Sequence, residues 1–118
     1  MLFVLFPLTG CGILILGGAA AGTVGYVSGD LNGTVEGEFQ NVVEAADLAF
    51  RENSFREASR DAGQHSIAYE LWTPQDDKVL LTITRASKTL TNITIRVGVF
   101  GDEPLSRNIL DEIKIRVK

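Results

Sequence analysis

Thr91-Asn92-Ile93-Thr94-Ile95-Arg96-Val97-Gly98-Val99 is the stretch on which the fold turns. Thr91, Ile93, Ile95, Val97 and Val99 occupy alternate positions, opposed by Asn92, Thr94, Arg96 and Gly98. A period of two rich in β-branched residues is the pattern of a strand with one face buried and one wet. Working back along the chain, the same alternation recurs. Lys78 to Ala86 places Val79, Leu81 and Ile83 on one face, and Ser66 to Thr73 does so with Ile67, Tyr69 and Leu71. Phe55 to Arg60 makes a shorter candidate, closed by Asp61-Ala62-Gly63, and Pro74-Gln75-Asp76-Asp77 reads as a turn. Short turns between consecutive strands make them antiparallel neighbours.

Two helices complete the pattern. Phe39, Val42, Val43, Ala46, Ala49 and Phe50 form a stripe at helical spacing from about Glu38 to Glu52, ended by Asn53-Ser54. A terminal helix starts at Gly101-Asp102-Glu103-Pro104. There Asp102 can cap, Glu103 complements the dipole and Pro104 is tolerated in the first turn. Its stripe is Leu105, Ile109, Leu110, Ile113 and Val117. Ahead of the first helix, Val27, Gly29, Leu31, Gly33 and Val35 alternate with Ser28, Asp30, Asn32 and Thr34, which predicts a first strand or ribbon weakened by its glycines. The expected fold is α+β in the order β-α-β-β-β-β-α: an antiparallel sheet of about five strands with two helices on one face.

At 118 residues the chain has room for one core. Its 11 Lys and Arg against 15 Asp and Glu leave a net charge of −4, so no bulk attraction to nucleic acid is expected. One Cys and one His exclude an intramolecular disulfide and a Cys/His zinc site, and no metal or cofactor is implied.

The first charged side chain is Asp30. Inside the uncharged opening, an apolar run from Leu2 to Leu8 leads through Thr9 and Gly10 to Cys11, followed by Gly17-Gly18-Ala19-Ala20-Ala21-Gly22. Leu8-Thr9-Gly10-Cys11 resembles the bacterial lipobox, in which small residues let an extended backbone enter a membrane peptidase and the Cys thiol is joined to lipid. The resemblance implies a signal-peptide remnant over residues 1–10, a lipid-attached Gly/Ala-rich tether over 11–25 and a periplasmic domain over 26–118. No Lys or Arg precedes the apolar run, which is short for a signal peptide, so the true start is expected upstream. Gly12 stands where an Asp would signal inner-membrane retention, which favours the outer membrane. The alternative is one uncleaved membrane span over Leu2 to Val27, opposed by Pro7 and the crowded glycines.

A second resemblance covers most of the chain. Thr94-Ile95-Arg96-Val97-Gly98-Val99-Phe100-Gly101-Asp102-Glu103, then Ser106 and Ile109 through Ile113, is similar to the C-terminal signature of a family of small bacterial lipoproteins known only as a domain of unknown function. Those proteins also open with a lipobox, a Gly/Ala-rich stretch and a Gly-Tyr pair before the first strand, here Gly25-Tyr26. The resemblance implies the fold and an envelope location, and no catalytic residue.

Several residues offer chemistry. Arg96, with backbone N–H groups at the terminal helix start, could form an anion site. The competing reading has Arg96 pair with a cross-strand carboxylate such as Glu70, while Gly98 and Gly101 permit the tight turn. Trp72 falls on the face opposite Ile67, Tyr69 and Leu71, so helices covering the aliphatic face leave it partly exposed, as an anchor for a protein or a stacked ligand. His65 with Asp102 or Ser106 is the one hydrolase constellation available. Asn32-Gly33-Thr34 and Asn92-Ile93-Thr94 match glycosylation sequons, which carry no such meaning in a bacterial chain. Asp30 to Asp77 holds 11 acids and three bases, and Lys78 to Lys118 four acids and eight bases, so opposite charges are expected to pair across the sheet.

The function expected from these readings is a non-enzymatic lipoprotein held in the membrane through Cys11. Its open sheet face, with Trp72 and Arg96, would meet an envelope partner. The rivals are a small periplasmic hydrolase and a single-span structural protein.

Overall fold

The computed structural model describes residues 24–118. The lipobox residues Leu8, Thr9, Gly10 and Cys11 lie outside the described residues.

Eight elements follow in order: β1 (Val24–Val27), β2 (Asp30–Glu36), α1 (Phe39–Glu52), β3 (Arg56–Ala62), β4 (Ser66–Trp72), β5 (Lys78–Arg85), β6 (Leu90–Val97) and α2 (Glu103–Lys114). The strands form one six-stranded sheet in the order β1-β2-β6-β5-β4-β3, every pair antiparallel. The α+β class, the two helices and the last four strands match the expectation in outline, but β3 runs on through Asp61 and Ala62, and β6 stops at Val97, leaving Val99 exposed beyond the positive-φ Gly98. The strand count is six rather than about five, because the first ribbon folds back on itself.

Ser28 and Gly29, with φ of 53° and 91°, form a two-residue hairpin turn that sets Val27 opposite Asp30. Both central residues with positive φ are what the right-handed strand twist favours in so short a connection. The period-two pattern had run unbroken through that turn, since a two-residue loop does not interrupt alternation. β1 begins at Val24, two residues ahead of the expected domain boundary.

α1 and α2 both pack on one face of the sheet, against β2, β5 and β6. The core is the aliphatic side of the strands: Leu31, Val35, Ile67, Tyr69, Leu71, Val79, Leu81, Ile83, Ile93, Ile95 and Val97. Val42, Ala46, Phe50, Ile109, Leu110 and Ile113 close it from the helices. α1 ends in a left-handed Ser54 (φ 61°), with Phe55 N donating to Phe50 O and Ser54 N donating to Arg51 O. This is the Schellman arrangement, and its apolar contact is the Phe50–Phe55 ring stack at 5.9 Å. Asn53 adds a clasp between helices, donating through Nδ2 to Ala49 O and to Glu112 Oε1. α2 starts as expected, with the Asp102 carboxylate accepting from Leu105 N at 3.1 Å.

Charge pairing follows the imbalance along the chain. Lys78–Glu70, Arg96–Asp30 and Arg116–Glu52 each join a base of the C-terminal half to an acid of the N-terminal half. The edge strand β3 is exposed along its whole length and reads Arg-Glu-Ala-Ser-Arg-Asp-Ala, a charged edge that discourages pairing with a second chain.

Candidate outer-face binding surface

With both helices on one side, the other side of the sheet is left without a covering element among the described residues. Strand alternation decides what stands there. β4 turns Ala68, Glu70 and Trp72 outward, and Trp72 is half-buried, flanked in register by Arg56 on β3 and Lys78 on β5. The exposed Leu80 side chain lies on the same face.

Arg96 also points to this face, but its guanidinium is engaged. Nη1 donates to Ser28 O at 2.8 Å and to Asp30 Oδ1 at 3.2 Å, and Nη2 donates to Val99 O at 2.5 Å. The carboxylate it meets is Asp30, the neighbour across β2, rather than Glu70; Glu70 sits 3.8 Å from Lys78 Nζ. β6 has β2 on one side and β5 on the other, which puts β4 one strand too far away. Arg96 therefore ties the β1–β2 turn to the loop after β6. Gly101 seals the same knot: a Cβ there would fall 2.4 Å from the Tyr26 hydroxyl and 2.5 Å from Gly29 Cα. The Gly-Tyr pair and the C-terminal signature, distant in sequence, meet at this one place.

A polar group that the alternation alone does not reveal adjoins this knot on the same face. Asn32 stands opposite Thr94 and Thr34 opposite Asn92. Thr94 Oγ1 donates to Asn32 Oδ1 and Thr34 Oγ1 to Asn92 Oδ1, each at 2.9 Å. The signal lay in the two N-x-T tripeptides, dismissed as sequons, whose i and i+2 residues must share one strand face.

The helical side has a groove of about 210 Å³ between α1, α2 and the β4–β5 loop, lined by Phe50, Phe55, Pro74, Leu105 and Ile109 with Asn53 and Glu112 at its polar side. The Glu112 carboxyl is held below its ordinary value, first by the Asn53 amide and then by Arg116. Nearby, Tyr69 donates to Asp47 Oδ1 at 3.1 Å, and the Arg60 guanidinium lies 4.9 Å from its ring centroid. Burial, more than the Asp47 charge, pushes the Tyr69 hydroxyl well above its ordinary value.

The hydrolase residues are not brought into one site. His65 is exposed in the β4 approach, its carbonyl accepting from Arg85 N, and the shallow cavity at His65 is lined by Glu38, Phe39, Gln40, Gln64, Arg85 and Lys88. Ser106 is fully buried on the core side of α2, with no hydrogen-bond partner for Oγ. Asp102 is occupied as the α2 cap. Among the described residues there is no cluster of three or more His, Cys, Asp or Glu able to hold a metal, and no helix long and apolar enough to cross a membrane.

A model of the family described as "Protein of unknown function (DUF3568)" matches residues 1–116. Comparison with curated proteins finds no match.

Proposed function

Since the chain belongs to the family whose model spans residues 1–116, we propose that it is a bacterial lipoprotein tethered through Cys11 and working as a non-catalytic binding module. The observation that carries the reading is the asymmetry of the sheet. Both helices cover one face, and the opposite face is free among the described residues while holding the only Trp of the chain. Trp72 keeps part of its ring in solvent on that face, with the exposed Leu80 on the adjacent strand, and Trp is among the residue types that most often anchor a protein interface. The tether reading is supported by the uncharged apolar run that ends on Cys11 and by the small residues Thr9 and Gly10 before it. Gly12 favours delivery to the outer membrane, with the domain facing the periplasm. Burial of Ser106 in the core, away from the exposed His65, speaks against the pairing of those two residues that the hydrolase alternative invoked.

Labelled fatty acid should be incorporated into the wild-type protein and not into Cys11→Ser, which should leave the membrane fraction. Membrane association without lipid label would establish a spanning segment instead. Trp72→Ala should keep a cooperative melt, at a cost of about 1–2 kcal/mol for the buried part of the ring, and should lose the crosslinks that wild type forms to envelope proteins in intact cells. Undiminished crosslinking would remove Trp72 from the working surface.

A further inference from the structure

The two N-x-T tripeptides, Asn32-Gly33-Thr34 on β2 and Asn92-Ile93-Thr94 on β6, lie antiparallel so that each Asn meets the other's Thr. Both hydroxyls donate to carboxamide oxygens at 2.9 Å. Each amide is thereby oriented: its oxygen is engaged, and its Nδ2 is left with hydrogens to donate outward. The hydroxyl oxygens in turn keep lone pairs to accept.

Beside this quartet the sheet has a gap. Gly25 stands opposite Asn32 on the edge strand, and a Cβ at Gly25 would meet nothing within 4 Å. The missing side chain opens a depression of about 420 Å³ lined by Gly25, Val27, Asn32, Thr34, Asn92 and Thr94. Val27, 65% exposed, supplies an apolar wall. The same chemistry continues inward along the register: Thr82 is opposite Thr94 and Ala68 opposite Thr82, while Thr84 is opposite Asn92 and Ser66 opposite Thr84. Two rows across four strands thus hold no ionisable side chain.

We propose that this depression binds a neutral glycan. The lining offers an ion no countercharge of its own, the neighbouring Arg96 and Asp30 being paired with each other, and a wholly apolar ligand would strip water from two amides and two hydroxyls without replacing their hydrogen bonds. An added peptide strand has nothing to pair with on this face, because β2 and β6 already pair with each other and with β1 and β5. A pyranose matches both surfaces. Its ring of hydroxyls both donates and accepts at close spacing, and its C–H face can rest on Val27. The inference rests on the binding-module reading only in needing the outer face free; it requires neither the tether nor Trp72.

The test uses the full isotope-labelled chain in a sugar-free zwitterionic detergent, titrated with chitotetraose and with cellotetraose. Either sugar should shift the Asn32 and Asn92 side-chain amide signals in a saturable way, and preference for the first would identify N-acetylated amino sugars. Asn32→Ala with Asn92→Ala should weaken binding by about tenfold or more, the loss expected for removing two hydrogen-bonding groups. Gly25→Leu fills open space at ordinary backbone angles, so it should keep the cooperative melt and abolish binding. Trp72→Ala should bind as wild type. Silence of both amides to about 10 mM of either sugar, or full binding by Gly25→Leu, would overturn the proposal, while lipid labelling at Cys11 and the Trp72 crosslinks would be untouched.

Discussion

Gly101 packs against Gly29 so closely that a Cβ on Gly101 would lie 2.5 Å from the Gly29 Cα. The contact joins the residue before the α2 cap to the turn between β1 and β2. Gly101 also has a φ of 85°, so an alanine there meets strain and backbone overlap together. Gly101→Ala should cost about 3 kcal/mol or more. Gly98 has a φ of 73° but open space where its Cβ would go, so Gly98→Ala should cost only about 1 kcal/mol. Equal denaturant midpoints for the two variants would show that the Gly101–Gly29 approach is not tight in solution.

Arg96 extends the same knot, since its guanidinium serves Ser28 O, Asp30 Oδ1 and Val99 O with a side chain only 32% exposed. Arg96→Ala should therefore lower stability by about 1–2 kcal/mol, more than an ordinary surface change. Arg96→Lys, with one ammonium in place of a planar fork, should recover only part of the loss. A melt of Arg96→Ala indistinguishable from wild type would reduce the guanidinium to a solvated surface group.

Ser106 offers a change in the opposite direction. Its hydroxyl is buried in α2 without a partner, and serine is a poorer helix former than alanine. Ser106→Ala should raise stability by about 1 kcal/mol, read as a higher denaturant midpoint at unchanged slope. Destabilisation would show that the hydroxyl has a partner in solution.

Tyr69 sets a pH dependence at the alkaline side. Its folded-state pKa is raised, chiefly by burial and then by Asp47, so the folded protein holds this proton where the unfolded chain would release it. The resulting contribution is fully present below the ordinary tyrosine value of 10 and is lost progressively as pH rises above it. Unfolding free energy should fall above pH 10 in wild type more steeply than in Tyr69→Phe. Parallel curves would mean that Tyr69 titrates alike in both states.

The sequence by itself determined what depends on local period. Alternation of Ile93, Ile95 and Val97 with Thr94 and Arg96 assigns a strand and both of its faces, because a one-residue shift would exchange every side chain. The stripe from Phe39 to Phe50 and the Asp102-Glu103-Pro104 start assign the helices, because caps and helical spacing lie within one or two turns of chain. From these alone Trp72 could be set on the outer face and Ile109 in the core. Only the tertiary structure decided which strands are neighbours. The return of β6 to lie beside β2 gives Arg96 to Asp30 instead of Glu70 and seats Gly101 on Gly29. The same return sets Asn32 against Thr94 and Thr34 against Asn92. Those pairings join residues about sixty apart in the chain, and no local spacing encodes them: they follow from which sheet order lets both helices bury their stripes on one face. The Ser28-Gly29 turn was hidden for a related reason, since a two-residue hairpin preserves alternation and shows itself only when Val27 is found facing Asp30.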